Sequence, residues 1–244
     1  MGADRDEVTT MPALAALAAE AEDHRDPPAG DGERYAGYGI MGLPFASGHV
    51  LAMRRFPASS VGPAYTSIWH RDPGGGWEFW QDQPDEQGCA RYFSAALDAT
   101  RRVAIALAWS GDTTLRLAVP ELDFSWSATM ASSPVTRLLN GVGSVLPERA
   151  WTNRHVLTAM GAVAGVALRA SRVGLSGSVP NGQRFVANPL KVWTVVDTDA
   201  SLAGEGFGPT GALAEQAQLG DFLIPQRGIF ALGRAFFSAP TGRG

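Results

Sequence analysis

A single cysteine, Cys89, and a single lysine, Lys191, stand in 244 residues. One thiol excludes an intramolecular disulfide framework and a cysteine-rich zinc site, and it fits a reducing compartment. The four histidines and Cys89 show no ligand spacing such as His-x-x-x-His, so no metal is expected. Phosphate-cradling glycine loops, the dinucleotide fingerprint and the Gly-x-Ser-x-Gly elbow are missing too, and no cofactor is expected. Long hydrophobic runs are also scarce. The longest uncharged apolar run, Val156 to Leu168, is 13 residues and too short to span a bilayer. Residues 1–23 hold six acids against Arg5, unlike a basic export signal, so the expected location is cytoplasmic.

Basic blocks are missing as well. Net charge is −4, split as −6 over residues 1–34 and +2 over 35–244, so the electrostatic footprint of a nucleic-acid binder is lacking. The nineteen arginines beside one lysine point to a GC-rich genome more than to function. The length is sufficient to bury a core without covalent staples.

What is present divides into three parts. Residues 1–34 read as a flexible acidic arm, with a short Ala/Leu-rich helix after a Thr10 cap and a Pro/Gly-containing linker behind it. The alternative is a helix that docks on the body. Residues 35–244 read as one β-rich domain. Strands are expected at 49–56, 65–71, 77–82, 91–97, 103–109, 114–119 and 122–130, with strong turns at Asp72 to Gly76 and Ser110 to Asp112. A helical insertion follows at about 133–168. Ser132 or Ser133 caps the first helix and Asn153 the second, which carries Gly161 and Gly165 four apart. Strands resume at 183–187, 190–197 and 228–237. The expected class is mainly β with a helical insertion: an antiparallel meander curling into a barrel, plus two helices.

The hairpin at 65–82 is the richest in chemistry. A four-residue loop sets Arg71 opposite Glu78 and Trp69 opposite Trp80; a five-residue loop sets His70 opposite Glu78. The bland reading is a cross-strand ion pair with aromatic packing. The sharper reading makes His70 or Glu78 a general acid or base inside a barrel. Lys191, sharing a strand face with Trp193, is either an exterior cation–π partner or a desolvated nucleophile. Asn153, Arg154 and His155 open the apolar helix, where an anionic ligand group could dock. Trp126, on another alternating strand, joins Trp69, Trp80 and Trp193 as a candidate pocket wall.

Val119-Pro120-Glu121-Leu122-Asp123, the alternating Phe124 and Trp126, and the strand Asn188-Pro189-Leu190-Lys191-Val192-Trp193 resemble the calycin-like family of carotenoid hydratases and their relatives. The resemblance covers the pattern of residues 45–130 and 180–237. The helix pair between them departs from it. It implies a lipocalin-type barrel handling apolar isoprenoid or polyketide-like molecules, often without a cofactor, and no catalytic residue carries over. Three functions follow: a cofactor-independent isomerase, hydratase or cyclase acting on a hydrophobic small molecule; a non-catalytic lipid or pigment carrier; and a scaffold whose acidic arm recruits a partner. Oligomeric state is not legible.

Overall fold

The computed structural model describes residues 13–147, 150–151 and 153–239. The Thr10 cap lies outside them. Ten strands run in line as one curled, open half-barrel. In chain order they are β1 (Glu33–Pro44), β2 (Val50–Ser59), β3 (Tyr65–Arg71), β4 (Trp77–Gln81), β5 (Ala99–Arg102), β6 (Ala106–Ser110), β7 (Thr114–Val119), β8 (Phe124–Ala131), β10 (Arg184–Leu202) and β14 (Ile229–Phe237). The short β9 (Ser176–Ser178) and β11 (Glu205–Gly206) pair with β10, while β12 (Gln218–Leu219) and β13 (Phe222–Leu223) form a separate ribbon.

The spatial order is β5-β4-β3-β2-β1-β14-β10-β8-β7-β6. Two antiparallel meanders, β1 to β4 and β6 to β8, are therefore joined by strands from the C-terminal part of the chain. The expectation of one closing antiparallel meander is corrected on two counts. β5 lies parallel to β4, and no ladder joins the edge strands β5 and β6 among the described residues. Only residues 103–105 separate those edges in sequence, so at that end they cannot stand more than about 14 Å apart. The curl is real and the closure is absent.

Contacts across the curl identify its inside. Trp80 of β4 packs on Phe124 of β8, with ring centroids 4.9 Å apart, although five strands intervene between theirs. Around this contact Ile40, Met53, Ile68, Leu117, Trp126, Met130, Trp193 and Phe230 form a continuous buried core. The interior is filled by side chains. Period-two alternation then sends the opposite set outward: Tyr35, Ala52, Tyr65, Trp69 and Phe79 build a second core with Cys89, Tyr92, Phe93 and Phe222.

The segment expected as a strand at 91–97 is instead α2 (Ala90–Phe93) and a 3₁₀ turn. Its Phe93 packs on Trp69 of β3 and Phe79 of β4 and its Tyr92 on Tyr35 of β1 and Phe237 of β14, so apolar residues there serve a helical cap on the outer face. The expected strands at 183–187 and 190–197 are one 19-residue strand, β10, bent by irregularities at Pro189/Lys191 and Val195/Asp197.

The helices follow the sequence closely. α3 (Pro134–Val145) starts at Ser133, whose Oγ accepts from Thr136 N while Ser133 N donates back to Thr136 Oγ1. α4 (Arg154–Ala167) starts at Asn153, whose Oδ1 accepts from the backbone of His155 and Val156. Gly161 and Gly165 let the returning chain lie against α4, because a Cβ on either would collide with the carbonyl of Val173 or Ser171. No described helix is long and apolar enough to cross a membrane.

Residues 14–23 depart from the expected flexible arm. They form α1 (Leu14–Asp23), which sets Leu14, Leu17 and Ala18 into the inner core. Glu22 then receives both Nε (2.9 Å) and Nη2 (2.8 Å) of Arg55 and the hydroxyl of Tyr38 (2.8 Å). Burial works against ionisation of Glu22, but these donors outweigh it and hold its pKa below the ordinary value. Leu17→Ala should therefore lower unfolding free energy by about 2 kcal/mol in urea titration, the low end for a buried leucine. A change of only a few tenths would show that α1 is not part of the cooperative fold.

Candidate functional site

On the outer face, the central strands carry unusually small residues. Gly37 of β1 lies opposite Gly233 of β14, and Ala231 and Ala235 flank Gly233 at period two. A side chain at either glycine would strike backbone: the carbonyl of Arg55 beside Gly37, that of Asn188 beside Gly233. With nothing projecting outward here, this stretch of the sheet leaves the space below α3 and α4 unfilled, although both helices touch the sheet at its margins. A cavity of about 580 Å³ remains between them, within the usual range for small-molecule sites, about 300–1,000 Å³.

Its walls are almost entirely apolar. Phe56, Trp69, Phe93 and Phe222 stand at one end, Trp151, Met160, Leu168 and Val173 under the helices, and Leu138, Val142 and Val163 at the opening. The last three are also exposed, so the cavity reaches solvent between α3 and α4. Asn140 of α3 holds its helix to the sheet by two bonds to Val192, 2.7 Å to the N–H and 3.0 Å to the carbonyl. No Asp, Glu, His or Lys lines the cavity among the described residues.

One charged side chain there is fully buried. Arg54 of β2 is 5% exposed and forms no ion pair among the described residues. Its Nη1 donates to Ile40 O (2.7 Å) and Met53 O (2.8 Å), and Nη2 to Met41 O (3.3 Å). The β1–β2 register shifts between Ile40 and Leu43, and the guanidinium covers carbonyls at that irregularity. Its Cζ lies 4.5 Å from the Trp69 ring centroid and 5.5 Å from that of Phe222. Burial draws its pKa down to about 10, still protonated at neutral pH.

Beside it, the buried Trp69 Nε1 and Ser67 Oγ find no oxygen or nitrogen partner and have only the Cys89 sulfur facing them, and Ser67 is the cross-strand neighbour of Arg54. Tyr65 Oη and Cys89 Sγ meet at 3.5 Å, and burial pushes the Cys89 thiol up, away from thiolate character. Tyr92 is anchored by Glu33 (2.6 Å) and Tyr35 (2.5 Å). Glu33 is disfavoured by burial, yet Arg91, Tyr92 and Gln183 together hold its carboxyl below the usual range.

The residues singled out in the sequence fall on both sides of the sheet. The hairpin takes its five-residue loop, closed by Asp72 N to Gly76 O (2.9 Å), so His70 faces Glu78, Trp69 faces Phe79 and Trp77 faces Arg71. Trp69 lines the outer cavity. Trp80, Trp126 and Trp193 belong to the packed interior. Lys191 pairs with Leu232 and does not line the cavity, whereas its neighbour Val192 does. Asn153 caps α4 and the exposed His155 sits in its first turn, while Val156, Ala159, Met160, Val163 and Ala164 reach the cavity; nothing is described of the Arg154 side chain.

His70 and Glu78 share a separate polar cleft with Asp72, Trp77, Asp98 and Arg101. Glu78 is ion-paired to Arg101. Arg71 lies on the opposite strand face and is outside that cleft's lining. His70 Nε2 shares a 3.0 Å hydrogen bond with His49 Nδ1, and Phe207 stacks on His49 with centroids 4.0 Å apart. Arg54, Phe56, Tyr65, Trp151 and Phe222 were not singled out from sequence. The alternation of small residues at 231, 233 and 235 was the available signal.

No protein-family model matches the chain, and no curated protein does. Among solved structures, it is similar to a crystal structure of acetoacetate decarboxylase from Legionella pneumophila subsp. pneumophila, with 11% identity. That alignment covers 98% of this chain and 96% of that one at a TM-score of 0.39, too weak a likeness to carry an argument. Of the resemblance read from sequence, the fold shares a curled sheet.

Burial first, and then the neighbouring His49, pulls the His70 pKa down to about 4. A base with a folded pKa below its unfolded value, about 6.5, leaves the unfolded chain binding more protons between the two. Stability is then complete above about pH 6.5 and falls as pH drops toward 4, by up to about 3 kcal/mol from this group. Denaturant titrations across that window should show the slope, and His70→Gln should remove this part of it. An unchanged slope in His70→Gln would mean that the ring is readily protonated in the fold.

Proposed function

We propose that this protein binds a hydrophobic small molecule, of isoprenoid, polyketide or fatty-acyl type, in the outer cavity under α3 and α4. The observation that carries the reading is the apolar volume of about 580 Å³ kept open by Gly37, Ala231, Gly233 and Ala235. Burial of about ten methylenes at about 0.8 kcal/mol each is worth up to roughly 8 kcal/mol, the micromolar range. The scarcity of acid–base groups in the lining favours a binder over an isomerase, hydratase or cyclase.

A second reading keeps acid–base chemistry at His70 and Glu78. The lowered His70 pKa in a cleft supports it. Its cleft is polar and separate from the cavity, so its substrate would be a different, polar molecule.

Retinol and cis-parinaric acid should quench tryptophan emission saturably at micromolar concentration, since Trp69 and Trp151 line the cavity. Ala235→Phe, which places a ring in the volume, should weaken binding at least tenfold at an unchanged thermal midpoint. His70→Ala and Glu78→Gln should bind as the wild type does. Absence of quenching by either ligand overturns the cavity reading, and full affinity in Ala235→Phe moves the site elsewhere.

A further inference from the structure

Resting on that cavity reading, we propose that the ligand is a long-chain monocarboxylic acid whose carboxylate docks on Arg54, with its tail beneath α3 and α4. Three observations meet at this point. Arg54 is a buried cation with no carboxylate in ion-pair reach among the described residues. Removing a guanidinium from water costs several kcal/mol unless an anion compensates it. The aromatic faces of Trp69 and Phe222 compensate only in part, about 2 kcal/mol for a desolvated contact.

Donors outnumber acceptors here. The three bonds from Arg54 to Ile40, Met41 and Met53 use Nη1 fully and one hydrogen of Nη2, while Nε and the other Nη2 hydrogen have no described partner. The Trp69 indole N–H and the Ser67 hydroxyl, which meet only the weakly accepting Cys89 sulfur, add two poorly satisfied donors. Covering the carbonyls at the β1 irregularity needs donors but no charge, so the structural duty of Arg54 leaves its positive charge unexplained. The missing element is a buried acceptor with negative charge.

The chemistry also fixes the kind of anion. One guanidinium balances one charge, and its planar fork matches the two oxygens of a carboxylate. A phosphate carries more charge and more acceptor oxygens than this point has buried cations to meet. Beyond the head, the walls offer Phe56, Trp151, Met160, Leu168 and Val173 to a hydrocarbon tail.

The test compares cis-parinaric acid with its methyl ester on the full chain, read by parinaryl emission at pH 7.5. The acid should bind at least tenfold tighter than the ester, and Arg54→Met should erase that preference while both ligands still bind. Arg54→Lys should retain a preference. Should Arg54→Met fail to fold, carboxyl-¹³C palmitate on the wild type gives a second readout. Its bound carboxyl should titrate at least one pH unit below the value in ester-diluted micelles. Equal affinity for acid and ester, or an unshifted carboxyl, overturns the carboxylate proposal and leaves the cavity reading standing. Binding of neither ligand removes both.

Discussion

The structure depends on the pairing of β1 with β14 and of β14 with β10. Without that central ladder, β1 to β4 and β6 to β8 are two separate meanders with exposed edges. β14 lies between them and pairs along nearly its whole length on both sides, from Phe237 to Phe230 against β1 and from Phe237 to Ile229 against β10. At its centre Gly233 meets Gly37 on one side and Pro189 on the other, next to irregularities in both neighbours. Irregular registers increase local twist, and glycine admits the close backbone approach they require. The same residues that let the sheet bend therefore leave its outer face bare.

That coupling separates the two faces by chemistry. Bending brings β4 and β8 together, so the inside must be filled, and the large side chains Trp80, Phe124, Trp126 and Phe230 fill it. Outside, α2 and the β12–β13 ribbon cover the β2–β4 end, leaving the β1–β14–β10 stretch to α3 and α4. Those helices meet a floor of glycine and alanine and hold on at its margins, by the Asn140 bonds to Val192 and by apolar clusters of Leu139 and Ala164 with Ile229 and Val192 and of Met160 with Val186 and Leu190. A lipocalin-like reading puts the ligand within the curl. Here large side chains occupy the inside of the curl, and the described cavity lies behind the sheet.

Much of the fold was legible because its signals are local. Ser133 before Pro134, Asn153 before an apolar run and the Asp72 to Gly76 turn each act within four residues, and each does in the structure what its chemistry requires. Strand order is not local. Nothing in the residues of β14 says that it inserts between β1 and β10, so the sheet read as a single meander. The segment 91–97 misled because apolar aromatics suit a strand and a buried helical turn alike. The site was missed for a related reason: histidine, glutamate and lysine drew attention as reactive types, while Arg54 looked like one of many arginines. Its signal was its setting. In Val50-Leu51-Ala52-Met53-Arg54-Arg55-Phe56, two consecutive arginines point to opposite faces, so one of them faces a core. Arg55 finds Glu22, and Arg54 finds no such partner among the described residues.

The contrast between those two arginines is the physical centre of the functional argument. Arg55 is half-buried and its charge is met by the bidentate Glu22, an arrangement explained by docking α1. Arg54 is deeper, and among the described residues it meets backbone carbonyls, ring faces and the neutral Cys89 and Tyr65, with no carboxylate. A fold can dispense with such a charge, since an apolar side chain of similar volume is often as stable or more so in a buried ion's place. The charge is best accounted for by something that arrives from outside the chain. The way in is consistent with that account. Leu138, Val142 and Val163 are exposed at the opening between α3 and α4, where an apolar tail meets apolar surface before it meets the cavity. Entry past such side chains demands little desolvation of polar groups, and Arg54 is the buried charge that awaits the head group.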